Sequence, residues 1–246
     1  MRALRAAAGS EVRRQLLSPA SWLVVALFAL SAGAAFVFNL DVFLDASLDA
    51  LSAPPSRPVN VNQLLIRPFL VHIGLAALLL LPMITARAFR NRLAPVAPAS
   101  TPEVARVAGP FIGVMTVYVV MLVTSLVLVL GLFVFGAPEW GPIVSGYLGL
   151  LLIGAAFISV ALFISSLATR VVPAAAATFA VSLALVACAW LAQSAAPGTR
   201  PVFQRFSIGE TLDDFAKGVI DAGHIVTCLT IVAVALCFTR HTARDA

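Results

Sequence analysis

The stretch PEWGPIVSGYLGLLLIGAAF, residues 138–157, decides the class of fold. Its apolar residues run on without the alternation of a half-buried strand, so it predicts a helix that crosses a membrane. Within it, Gly141, Ser145 and Gly149 recur at every fourth position, which places them on one face of that helix. Small residues at this spacing predict a ridge against which a second helix packs closely, because lipid supplies no hydrophobic drive for helices to associate.

Two aromatic residues and one more glycine complete the interpretation of this helix. Trp140 and Tyr147 predict its outer end, because amphipathic aromatic rings favour the headgroup layer of a membrane. For Gly141, together with Gly146, a second interpretation stays open. These two glycines would then only shape the path by which the chain enters the helix, since glycine is common in membrane helices.

The composition of the whole chain also indicates a membrane location. Hydrophobic residues make up 61% of the 246 residues and charged residues 11%, against about 25% charged in soluble proteins. The long apolar runs indicate a bundle of helices rather than a β-barrel, whose strands would alternate. The net charge of +5 does not indicate a nucleic-acid partner, since the basic residues lie between the apolar runs instead of forming one face.

Six apolar runs are long enough to cross a hydrocarbon core about 30 Å thick. The sequence therefore predicts an all-α integral membrane protein with one domain over residues 1–246. The first run exceeds the apolar part of a signal peptide and five more follow it, which indicates a retained helix. The predicted spans are residues 22–40, 64–86, 107–133, 142–167, 172–191 and 225–238.

The distribution of charge predicts how the bundle is oriented. If the N-terminus is cytoplasmic, eleven of the 16 Lys and Arg residues lie on the inner side and eight of the 11 Asp and Glu residues lie on the outer side. Cytoplasmic loops of membrane proteins carry an excess of Lys and Arg. We therefore expect a multi-pass protein with both termini in the cytoplasm.

Two segments outside the spans predict amphipathic helices. Residues 207–219 carry apolar side chains at helical spacing, and Asp213 and Lys217 form a favourable i,i+4 pair, so we expect a short helix on the outer face before the sixth span. Its apolar positions are Ile208, Leu212, Phe215 and Val219. Residues 1–19 predict a second helix, on the cytoplasmic face. The alternative for both is a solvated segment that merely leads into a span.

Motifs for catalysis are missing from the sequence. It has no G-x-x-x-x-G-K-[ST] to cradle ATP phosphates, no H-E-x-x-H and no G-x-S-x-G, so we expect no catalytic residue, metal or cofactor in this chain. No Asp or Glu lies in a predicted span, which disfavours a carrier coupled to protons or sodium. Cys188, Cys228 and Cys237 lie in apolar runs without paired spacing and are interpreted as core residues.

Arg67 and His72 are the ionisable residues in or near the interior of a predicted span. Ionisable groups in a membrane mark candidate functional positions. Arg67 lies about one turn from the outer end, where a long basic side chain can also simply reach the headgroups. For His72 the alternative is a neutral imidazole that hydrogen-bonds a neighbouring helix.

Four segments of the chain resemble permeases of the ABC-2 type. FGAPEWGPIVSGYLGLLLIGAAFISVALFISSL (Phe135–Leu167) resembles the fourth span of that family. LLSPASWLVVALFALSAG (Leu16–Gly33) is similar to the first span, and LLLLPMITARAF (Leu78–Phe89) to the second span and its exit. TLDDFAKGVIDAGHIV (Thr211–Val226) is similar to the helix before the sixth span. The subgroup with the greatest resemblance is that of gliding-motility-associated ABC permeases, relatives of permeases used in nitrous oxide reductase maturation.

The resemblance implies a function and a set of partners. It implies a permease subunit in a bacterial inner membrane, an exporter or mechanotransmitter that works as a dimer with a second copy or a paralogue. ATP and Mg²⁺ would be bound by a separate cytoplasmic ABC ATPase, and an auxiliary membrane protein on the outer side is an optional further partner. The alternative is a scaffold without transport activity that anchors a gliding-motility or cell-envelope machine. No residue pattern identifies a substrate.

The resemblance also assigns a role to the loop over residues 87–107. In the family this loop carries a coupling helix that inserts into the ATPase, and here Pro98, Ser100 and Glu103 resemble the turn that follows it. The glutamates and the G-T-x-E of the family pattern are missing, and prolines at positions 95, 98 and 102 preclude a long helix. Either the ATPase has an adapted groove or this chain is a weakly coupled half of an asymmetric complex. Arg90 and Arg92 would face acidic residues of the ATPase or, alternatively, lipid phosphates.

Overall fold

A computed structural model describes residues 2–52, 60–93, 103–135, 138–168, 170–194, 208–218, 221 and 222–242. Every regular element within these ranges is a helix, which confirms the all-α prediction for the described part of the chain. The helices are α1 (Arg2–Leu16), α2 (Pro19–Ser52), a π-helical turn (Asn62–Ile66) that continues into α3 (Arg67–Leu93), α4 (Glu103–Phe135), α5 (Trp140–Leu167), α6 (Val171–Ser194), α7 (Ile208–Ala216) and α8 (Ala222–Thr242).

Five of these helices are long and apolar enough to cross a membrane: α2, α3 with its preceding π-turn, α4, α5 and α8. They coincide with five of the predicted spans, and the chain has the character of a multi-pass membrane protein. The remaining prediction, residues 172–191, falls on α6, where an apolar helix is described over Val171–Ala187. The count of six therefore stays a prediction.

Helix α2 continues well beyond the predicted first span, which ended at residue 40. Its 34 residues extend to Ser52, a length of about 50 Å against a hydrocarbon core of about 30 Å. Asp41, Asp45 and Asp49 lie at every fourth position of the added turns and are exposed. The apolar run marks only the part of the helix that suits lipid, because the leucines and alanines between the aspartates favour helix outside it as well.

Helices α3 and α5 lie at the centre of the bundle. Helix α3 contacts α2, α4, α5, α6 and α7, and α5 contacts α3, α4, α6, α7 and α8. Their side chains supply most of the core, including the fully buried Phe69 and Leu81 of α3 and Ile158 of α5. The stretch over residues 138–157 thus lies in a helix that is packed against neighbouring helices along much of its length.

A proline in α3 explains one contact between helices. Pro82 has no N–H to donate to the carbonyl of Leu78, four residues earlier, so that carbonyl is left without its usual helical partner. Ser182 of α6 donates a hydrogen bond to the Leu78 carbonyl at 2.9 Å. In lipid an unpaired carbonyl is costly, and the bond from Ser182 therefore joins α6 to α3 at this position.

Helix α1 packs on the beginning of α4. Glu11 and Gln15 lie against Gly113, where an added Cβ would meet the Cγ atoms of these two side chains at 2.9 and 3.1 Å. Arg14 forms an ion pair with Glu11 and donates to the carbonyl of Ala88 at 3.4 Å, which ties α1 to α3. The predicted N-terminal helix is therefore present, while its position on a membrane face stays a prediction.

Candidate functional site

The short helix α7 packs across one end of α3 and α5. Of its side chains, Leu212, Phe215 and Ala216 are buried, while Asp213 and Asp214 are partly accessible. The spacing of the apolar residues by three or four positions gives α7 one buried side, since such residues share a face of a helix. We call the set formed by Arg67 of α3, Ser145 and Gly149 of α5, and Asp213 and Phe215 of α7 the α7 contact.

Phe215 occupies space that exists because position 149 is glycine. A Cβ built on Gly149 would lie 2.7 Å from Cγ of Phe215 and 2.8 Å from both Cβ and Cδ2. The Oγ atom of Ser145, one turn away, lies 2.6 Å from the carbonyl oxygen of Phe215 and 2.8 Å from that of Gly141. The two small residues thus accept the ring and the backbone of α7 at close range.

A second pair of close contacts supports the same docking. Leu212 of α7 lies over Gly74 of α3, where an added Cβ would be 2.8 Å from Cδ2 of Leu212 and 3.1 Å from Cδ2 of Leu150. Leu212 and Phe215 are at most 1% exposed. Burying two such side chains contributes about 1.5–3 kcal/mol each where water is the alternative environment, so apolar packing is the main term in the docking of α7.

Charged groups close the α7 contact at its edge. Arg67 donates from Nε and Nη2 to the two carboxylate oxygens of Asp213. Lys217 lies 2.9 Å from Asp213 and 3.2 Å from Asp214, so the i,i+4 pair expected from the sequence is present. Partial burial disfavours the charge on Asp213, but the bonds from Arg67 and Lys217 outweigh it and lower the pKa of this carboxyl. The bond to Asp213 raises the pKa of Lys217.

Other residues singled out on α5 lie apart from the α7 contact. Gly141 is exposed, and a Cβ there would have no neighbouring atom within 4 Å among the described residues. Gly146 is buried against Leu70 of α3. The described ridge therefore begins at Ser145, and Gly146 has a packing role on the opposite flank in addition to any effect on the start of the helix.

The two aromatic residues of α5 have different surroundings. Trp140 is exposed and stacks on Phe133 of α4 with 4.2 Å between ring centroids, so the two rings join the ends of α4 and α5. The hydroxyl of Tyr147 lies 3.1 Å from that of Ser125. Their placement relative to a headgroup layer stays a prediction.

His72 lies on α3, away from the α7 contact. Its ring is exposed on the outside of the chain, and its Nδ1 lies 3.3 Å from the amide nitrogen of the buried Asn39 of α2. Asn39 also donates to the carbonyl of Ala35 at 2.6 Å. A hydrogen bond to a neighbouring helix was one of the two interpretations of His72, and the pairing with Asn39 is of that kind.

Several predicted residues cannot be placed by their side chains. Arg90 and Arg92 lie on α3, Glu103 begins α4 and Ile208 begins α7, but the side chains of these four residues lie outside the described part of the chain. Pro98, Ser100 and Val219 also lie outside the described residues. The predicted coupling loop accordingly remains a prediction.

Tyr118 and Gly154 form a contact that the sequence did not indicate. The ring of Tyr118 on α4 fills the place where a side chain at Gly154 would lie, and its hydroxyl donates to the carbonyl of Leu150 at 2.7 Å. Neither a tyrosine in one apolar run nor a glycine in another is unusual. A signal would have been the pairing of a bulky polar aromatic with a helix that has glycines on several faces.

The arrangement has the chemistry of a helix-docking site rather than of a reaction centre. The described residues contain no group of three or more His, Cys, Asp or Glu that could hold a metal ion. Comparisons with protein-family profiles, with curated proteins and with solved structures find no match to this chain. What the described residues can do is fasten α7 to two long helices through packing, one backbone hydrogen bond and a two-bond ion pair.

Proposed function

We propose that this chain is the transmembrane subunit of an ABC transporter of the ABC-2 type, driven by a separate ATPase subunit. The four segments that resemble the family, in chain order, support the proposal. The apolar helices support the membrane part of it, and α7 packs immediately before the last apolar helix, in the segment where the resemblance is most specific.

The observation that carries the proposal is the course of α3. This helix begins at Arg67, which holds Asp213 of α7, and ends at Leu93, next to the predicted coupling loop. Its 27 residues correspond to about 40 Å, enough to pass through a membrane. A tilt of α3 that starts at the ATPase would therefore move Arg67 at the opposite surface, and the ion pair and packing would pass that motion to α7.

The proposal includes an orientation and a sixth span. Helix α6 supplies the sixth crossing, because its 24 residues correspond to about 36 Å. Both termini and the coupling loop then lie in the cytoplasm of a bacterial cell, and α7 lies on the outer face of the inner membrane. The excess of Lys and Arg on the inner side supports this orientation.

Purification of the tagged full-length chain from its native membrane in mild detergent tests the proposal. We expect two copies of the chain, or one copy and a paralogue, to be recovered with two ABC ATPase subunits. The preparation should hydrolyse ATP, and hydrolysis should stop when the P-loop lysine of the ATPase is replaced. Recovery with structural envelope proteins and without an ATPase would contradict the proposal and favour a membrane scaffold.

A further inference from the structure

A cleft of about 190 Å³ lies between α1, the start of α2 and the far end of α3. Its polar lining comes from Arg14 and Gln15 of α1, Ser18 and Ser21 at the start of α2, and Arg87 of α3. Met83 and Ile84 supply an apolar side. Ligand pockets for drug-sized molecules measure about 300 Å³ or more, so the cleft suits a smaller group with one charged end.

The cleft lies at the membrane surface opposite α7. Along α3, Arg87 is twenty residues from Arg67, which is about 30 Å at 1.5 Å per residue and matches the thickness of a hydrocarbon core. The apolar stretch of α2 begins at Pro19 and that of α3 ends at Ala88. The polar lining therefore coincides with the level at which two spans leave lipid.

The two arginines of the cleft have unused hydrogen-bonding capacity. Arg14 spends Nη2 on Glu11 and on the carbonyl of Ala88, but its buried Nε has no hydrogen-bond partner among the described residues. Arg87 is exposed. Because Glu11 compensates one of the two positive charges, the cleft keeps a surplus of about one charge and at least one buried donor without a partner.

We infer that this cleft binds the phosphate headgroup of an anionic membrane lipid. Guanidinium groups match phosphate oxygens in geometry and charge, and the hydroxyls of Ser18 and Ser21 can supply further hydrogen bonds. A lipid fits better than a soluble anion because apolar side chains border the cleft. Leu17, Trp22 and Met83 are exposed around it and offer a surface for the acyl chains. Trp22 is fixed by a bond from Nε1 to the carbonyl of Leu16 at 2.6 Å.

Native mass spectrometry of the full-length chain in detergent tests the inference with phosphatidylglycerol and phosphatidylcholine as probes. We expect phosphatidylglycerol to stay bound under activation that removes phosphatidylcholine. Arg87→Gln should lower its retention about fivefold, because a basic residue at a lipid surface contributes that much to binding. Arg170→Gln is the control, since this exposed arginine gives the same charge change away from the cleft.

Three outcomes would overturn the inference. Equal retention of the two lipids would exclude a headgroup site. An equal effect of Arg170→Gln and Arg87→Gln would assign the binding to general surface charge. Displacement of the lipid by millimolar inorganic phosphate would show a site for a free anion. Arg14→Lys, which keeps a charge opposite Glu11 but lacks the planar guanidinium, should also weaken retention, and unchanged retention in both variants would contradict the assignment to these arginines. The inference requires only that the chain lies in a membrane and does not rest on the transporter proposal.

Discussion

The substitution Gly149→Ala tests the α7 contact with the smallest possible change. The added methyl group would lie 2.7–2.8 Å from three atoms of the Phe215 side chain, closer than carbon atoms pack in folded proteins. Phe215 cannot easily retreat, because its ring is buried and its carbonyl is hydrogen-bonded to Ser145. Overpacking of this kind costs about 1–3 kcal/mol, and the cost falls on the docked position of α7.

The chain contains a built-in reporter of α7 docking. Lys217, which directly follows α7, is the single lysine of the sequence, so a lysine-specific endoprotease can cut at this one position. In the docked state Lys217 is paired with Asp213 and Asp214. When α7 opens and closes quickly, the cleavage rate follows the open population, and a cost of 1–3 kcal/mol raises that rate about five- to 150-fold. The fragments are quantified by electrophoresis of the purified chain in detergent.

Gly141→Ala is the matched control for this experiment. It is the same substitution on the same helix, two turns away, and its methyl group meets no atom within 4 Å among the described residues. We expect its cleavage rate to stay within about twofold of the parent, since alanine favours helix over glycine and adds no collision. If Gly149→Ala is cut no faster than Gly141→Ala, the ring of Phe215 does not occupy the space above Gly149, and the reasoning is refuted.

Three further predictions concern separate parts of the molecule. Because the pKa of Asp213 is lowered in the folded chain, its contribution is complete above the usual Asp pKa of about 3.9 and is lost as pH falls through the folded pKa; the gap in thermal midpoint between the parent and Asp213→Asn should therefore be constant near neutrality and close below about pH 4, and a gap independent of pH would contradict it. Ser182→Ala should cost about 0.6–1.7 kcal/mol of stability in detergent, and less in a Pro82→Ala background, where α3 regains its own donor to Leu78; strictly additive effects would exclude the proposed link. The double variant Arg90→Glu, Arg92→Glu should release the ATPase or uncouple ATP hydrolysis from transport while thermal stability is kept, and full coupling would assign these arginines to lipid.

Periodicity and run length predicted the helices, because crossing lipid demands long apolar segments whatever their tertiary contacts. The same logic located α3, α4 and α5 closely. It missed the true end of α2, since the aspartates at 41, 45 and 49 end the apolar run without ending the helix. Hydropathy reports the environment that a segment prefers, whereas helix formation in water depends on propensity and local pairs.

The face of α5 that packs closely was predictable, but its partner was not. The spacing of Ser145 and Gly149 identified a place for close approach, and in the structure the chain that approaches is α7 rather than a span. Arg67 and Asp213 were singled out for separate local reasons, as a snorkelling side chain and as a partner of Lys217. They are 146 residues apart, and only the packing of α7 on α3 brings them together. Spacing within one helix carries no information about such pairs.

The rate of cleavage at Lys217 in the complex of this chain with its ATPase tests the central claim most directly. The claim is that α3 transmits a motion from the cytoplasmic ATPase to α7 at the opposite surface. We predict that ATP changes the cleavage rate severalfold and that the change disappears when the P-loop lysine of the ATPase is replaced. A cleavage rate that is the same with and without ATP, in a complex that hydrolyses ATP, would contradict the account.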